Sequence, residues 1–158
     1  MDESPVELLT PVRGRSPYVA ALLAWLVPGL GQVFAGRPAK GALYFAAIAG
    51  TFLLGWWLTD FTAVDPNHYP LDFAAQVFAG GPTFLALETA RGHVLASLPK
   101  WLEVGRLYVL VAGLLNLVAV TDAVGESITR SRRAIAWREE MRIREARAAA
   151  AAREEVEA

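Results

Sequence analysis

The sequence predicts an all-α integral membrane protein, and three observations carry that reading. Hydrophobic residues make up 54% of the 158-residue chain and mean hydropathy is +0.34, above the ~45–50% apolar content usual in soluble domains. The apolar residues gather in blocks without formal charge. About half of all charged side chains, in turn, lie between Glu126 and Ala158.

Taken in order, residues 1–17 are polar and proline-punctuated and read as a flexible N-terminal segment. Tyr18–Gly36 and Gly41–Thr59 each run nineteen residues without a charge, close to the ~20 a helix needs to cross a bilayer. Pro28, Gly29 and Gly31 would kink or unwind the first run near its far end. Only Arg37–Lys40 ("RPAK") separates the two, so residues 18–59 read as a two-helix transmembrane hairpin. Residues 60–100 read as an extracytoplasmic loop, in which Leu71–Leu87 is interrupted by Asp72, Gln76 and Gly80-Gly81-Pro82 and reads as an interfacial or re-entrant helix. Residues 101–123, centred on the charge-free Leu107–Thr121, read as a third spanning helix. Residues 124–158 read as a charged, solvated helical tail; Ala134, Trp137, Met141, Ala148 and Ala151 sketch an a/d stripe that Arg144 interrupts.

Positive charge near span ends prefers the cytoplasm. Arg130, Arg132 and Arg133 put the tail there, in a multi-pass protein of the cell inner membrane with a cytoplasmic C-terminus. Three spans then leave Arg13 and Arg15 outside, against the same rule. A fourth crossing through Leu71–Leu87 would remove the conflict, and both topologies stay open. So does a third reading, in which Arg13, Arg15, the Val19–Leu30 run and Val33-x-Ala35 form a cleavable signal peptide. The acidic start, and a cut just before the hairpin turn, count against it.

The stretch "SPYVAALLAWLVPGLGQVFAGRPAKGALYF" resembles a class of small bacterial integral membrane proteins of uncharacterised function. Members share a helical hairpin with a Pro-Gly-x-Gly-(His/Gln)-x-(Tyr/Phe)-x-Gly-(Arg) turn. The matching positions here are Pro28, Gly29, Gly31, Gln32, Phe34, Gly36, Arg37 and Gly41, and the resemblance implies architecture without activity. The residues give the turn its own logic. Glycine allows close backbone approach, Gln32 can bond carbonyls the turn leaves unpaired, Phe34 can sit at the interface and Arg37 can snorkel to headgroups. Gln-Val-Phe-Ala-Gly-x-Pro occurs twice, at Gln32–Pro38 and Gln76–Pro82, with unrelated flanks. A shared local device for ending an apolar helix at the membrane face accounts for this better than duplication; chance is the third option.

Catalytic chemistry is not supported. The chain has no cysteine, hence no thiol nucleophile or thiolate metal site. Gly31-x-x-x-x-Gly36-Arg37-Pro38 lacks the Lys and Ser/Thr of a phosphate-binding loop and has no preceding strand. Asp60, Asp65, His68 and Asp72 match no calcium or zinc spacing, and His93 stands alone. No metal or cofactor is implied. A net charge of -1 gives no bulk attraction to nucleic acid.

Asn116 is the most informative polar residue, lying in the middle of an otherwise apolar helix, where such groups face protein rather than lipid. It reads as glue between helices, or alternatively as part of a polar path. Ala112, Ala119 and Ala123 share its face, with Gly113 beside it. The second helix offers Ala42, Ala46 and Gly50 as a small-residue packing series. Asp122 is placed to cap the helix end or pair with an arginine. The function expected is non-enzymatic: a small membrane scaffold or assembly subunit. Its partners would be the lipid bilayer and either a protein partner or another copy, met through the transmembrane helices and tail. The alternative is a small transport or channel component using Asn116 and Gln32.

Overall fold

A computed structural model describes residues 14–64, 70–90 and 99–157. Met1–Arg13, Asp65, Asn67, His68, Arg91 and His93 lie outside the described residues, as does the side chain of Asp72. Helix α1 spans Pro17–Leu26, with Pro17 in the first turn, where its missing N–H costs nothing. Pro28 ends it by forcing the preceding residue out of helical geometry, and Val27 is extended at φ −133°, ψ 114°. Gly29 then takes the left-handed region at φ 84° and starts the five-residue helix α2, Leu30–Phe34.

This turn reverses the chain instead of kinking it. Helix α2 folds back along α1 so closely that a Cβ on Gly31 would lie 2.5 Å from the Ala20 carbonyl and from Ala24 Cβ. The two ends of the hairpin meet, since the Arg15 guanidinium donates to the Phe34 carbonyl. The expectation of one spanning helix over Tyr18–Gly36 is therefore corrected: it is a hairpin whose longer arm, ten residues, reaches about 15 Å.

Helix α3, Pro38–Leu58, has 21 residues, about 31 Å. It lies antiparallel on α6, Leu102–Glu157, as two contacts near opposite ends show. Lys40 Nζ meets Asp122 Oδ1 at 2.6 Å, and Gly55 and Gly105 face each other so closely that a Cβ on either would crowd the other's carbonyl oxygen. The buried face of α3 is Gly41, Ile48, Phe52 and Gly55. Ala42, Ala46 and Gly50 are exposed, and nothing stands within 4 Å of a Cβ built on Gly50. The packing face expected there is corrected: it lies about 150° round the helix, almost on the opposite side, where Ile48 and Phe52 sit between Gly41 and Gly55.

Between α3 and α6 the chain forms α4 (Pro70–Gln76), a 3-10 turn (Val77–Ala79) and α5 (Gly81–Ala90). Helix α4 and the 3-10 turn pack on α6, and α5 touches α3. Ala63, Val64, Ala79 and Ala86 join Ile48, Phe52, Val109 and Ala112 in the larger apolar core, while Ala20, Ala24 and Ala123 form a second one. Helix α6 runs 56 residues without interruption, about 84 Å, straight through the boundary expected at residue 124. Among the described residues two helices are long and apolar enough to cross a membrane, α3 and the first part of α6. Of the three spans expected, two coincide with these helices and the first does not.

Candidate functional site

One face of α6 carries the polar groups that organise the molecule. At its centre Asn116 is fully buried and donates both amide hydrogens to backbone carbonyls, Phe78 at 2.9 Å and Trp25 at 3.4 Å. The first belongs to the 3-10 turn, the second to the end of α1. Trp25 Nε1 closes the triangle by donating to the Val77 carbonyl at 3.1 Å. Glycine makes this junction possible: Gly80, at φ 74°, presses its Cα against the Trp25 carbonyl where a Cβ would overlap it. The tip of the first hairpin and the tip of the α4–α5 segment thus meet at Asn116.

One turn onward, Gln32 Nε2 donates to the Ala119 carbonyl at 2.6 Å and to Asp122 Oδ2 at 3.3 Å. Gln32 therefore serves α6 rather than the carbonyls of its own turn, which corrects the expected role. Asp122 pairs with Lys40, not with an arginine. Next comes Glu126, 2.7 Å from Arg37 Nε, so Arg37 is held by a carboxylate instead of reaching freely outward. Beyond it Arg130 Nη1 donates to the Ala35 carbonyl at 3.0 Å, and Ser131 exchanges hydrogen bonds with the backbone of Arg15. The Arg15 guanidinium stands 5.1 Å from the centre of the Phe34 ring, a cation–π distance. Phe34 is thus half-buried beneath a cation.

The motif positions fall into one construction. Pro28 and Gly29 reverse the chain, Gly31 lets α2 lie on α1, and Gly29 and Gly41 press backbone to backbone. Gly36, left-handed at φ 89°, leaves room for the Arg130 guanidinium. The second copy repeats the device. Gln76, fully buried like Gln32, donates to the Ala63 carbonyl of another segment at 3.1 Å. Gly80 has a positive φ like Gly36, and Pro82 lies in the first turn of the next helix as Pro38 does. Only the location differs, because the second copy ends beside Asn116 and not at a helix-bundle end. Gly113 is buried beside Asn116, and Ala112, Ala119 and Ala123 are fully buried on its face.

Sequence reasoning passed over Trp25, and it read Arg15 and Arg130 only as topology charges and Gly80 only as a break, not as parts of this construction. Three of them bond to, or press against, backbone more than fifty positions away, and no local pattern announces that. Among the described residues no three His, Asp or Glu side chains gather as a metal site.

A family model described as a family of unknown function, DUF6677, matches residues 19–134. The chain belongs to DUF6677. The match begins in α1 and ends at Ala134, the last fully buried position of α6, so the DUF6677 unit coincides with the packed bundle. No curated protein and no solved structure matches this DUF6677 chain.

Proposed function

We propose that this chain is a non-enzymatic scaffold of the cytoplasmic membrane, with two crossings, two half-depth hairpins and both ends on the cytoplasmic side. The observation that carries this reading is the unbroken α6, whose first half packs in the bundle while residues beyond Ala134 extend into solvent. From Gly105 to Ser127 this helix rises about 33 Å, a bilayer core's thickness, and Asn116 falls at the midpoint. The α1–α2 hairpin reaches that depth from the tail side, and Val77–Gly81 reaches it from the α3–α4 side.

Charge supports the orientation. Arg15, Arg37, Lys40, Arg130, Arg132 and Arg133 gather at the tail-side end, against Lys100 and Arg106 among the described residues at the other. The conflict that a continuous first span creates for Arg15 disappears, because α1 begins beside Ser131. Exposed Ile135 and Ile143 give the projecting part of α6 apolar contact points for a protein partner.

The test is photo-crosslinking in native membranes with a reactive residue at Ile143 of the full chain, beside mild-detergent pull-downs of the full chain and of a chain lacking residues 136–158, both tagged at the N-terminus. One discrete crosslinked species is expected, with the same partner recovered by pull-down only from the full chain. A chain without such a partner that supports solute flux in proteoliposomes would overturn the scaffold reading in favour of transport.

A further inference from the structure

At the tail-side rim, Ala35, Gly36, Arg37, Glu126, Thr129, Arg130 and Arg133 enclose a cavity of about 270 Å³. Three guanidinium groups face one carboxylate there. Glu126 is committed to Arg37, and no carboxylate among the described residues pairs with Arg133. Arg130 spends Nη1 on the Ala35 carbonyl, yet its Nε is buried without an acceptor. A buried charged donor without a partner costs stability. Here it lines a cavity with two surplus positive charges, and a planar guanidinium is well suited to a bidentate phosphate contact.

We propose that this cavity binds a phosphate group, with Arg130 and Arg133 as its principal donors and Gly36 providing the close approach. The phosphate of an anionic lipid headgroup and a soluble phosphate share this chemistry. The lipid source rests on the membrane placement proposed above; the soluble source does not.

The test uses the full chain in detergent, with phosphatidylglycerol retention read by native mass spectrometry. A second arm measures thermal shift on adding glycerol 1-phosphate or inorganic phosphate. Arg133→Gln should weaken the bound phosphate by about ten-fold, the loss of one charge-assisted contact, with an unchanged melting temperature in the ligand-free protein. Arg138→Gln, an equal charge change on an exposed part of α6, should have no effect. Retained lipid that is lost in Arg133→Gln identifies the lipid source. A thermal shift with soluble phosphate, lost in the same variant, identifies the soluble one. Neither signal, or equal losses in Arg133→Gln and Arg138→Gln, overturns the site. Failure of membrane placement would instead show as protein released from membranes by alkaline carbonate, whatever the phosphate arms report.

Discussion

Asn116 joins two backbone carbonyls from separate segments that both precede it in the chain, and this sets what its substitution does. Asn116→Leu leaves the Trp25 and Phe78 carbonyls without that donor. Intramembrane hydrogen bonds average ~0.6 kcal/mol and reach ~1.7, so the two together should lower stability by roughly 1–3 kcal/mol, read as a lower melting temperature in detergent with insertion intact. Glycines separate just as sharply by surroundings. Gly50→Leu should change stability by less than about 0.5 kcal/mol, as exposed substitutions do, because nothing stands near it. Gly55→Ala should cost about 1–3 kcal/mol, because its new methyl would meet the Gly105 carbonyl and Tyr108. Equal melting temperatures for the two variants would refute the packing face described for α3.

The elements were legible where a single residue dictates the backbone. Pro28 and Gly29 announced a break and the apolar run from Gly41 a full-length helix, which in fact opens three residues earlier, at Pro38. The run Tyr18–Gly36 misled because hydropathy counts apolar residues without sensing direction. A kinked span and a folded-back hairpin have the same composition, and only the Gly31 contact with Ala20 and the Arg15–Phe34 bond separate them. The face of α3 was misread for a related reason. Ala42, Ala46 and Gly50 satisfy the small-residue spacing, but Ile48 and Phe52 offer more area to bury, and the helix turns them inward. Gly36→Ala tests the hairpin's exit: the methyl would strike Arg130 and the left-handed backbone would be strained. A loss of about 1–3 kcal/mol is expected, with partial recovery in Gly36→Ala/Arg130→Ala.

For the whole molecule, the decisive quantity is which ends share a side. The chain has no cysteine, so single substitutions at Ser16, Lys100 and Arg144 can be labelled in sealed vesicles. Ser16 and Arg144 should react from one side and Lys100 from the other. Ser16 and Lys100 reacting together would restore the continuous first span. The proposed arrangement differs from the sequence reading, which saw the conflict at Arg13 and Arg15 and sought the remedy in a fourth crossing. Removing a crossing resolves the charge conflict equally well.

The bond between Arg15 and Ser131 joins residues 116 positions apart, and this has a consequence for biogenesis. A ribosome delivers the α1–α2 hairpin long before it delivers α6. Until then the Trp25 and Ala35 carbonyls lack their Asn116 and Arg130 donors, and Arg15 lacks the Ser131 anchor that holds the hairpin in place. Unpaired carbonyls are not stable in lipid hydrocarbon. In the membrane placement proposed above, this hairpin must therefore wait at the membrane surface or inside the insertion machinery, and be among the last parts to settle. A chain arrested before Asn116 would keep a residue such as Trp25 accessible to water-soluble reagents, whereas the released full-length chain would shield it.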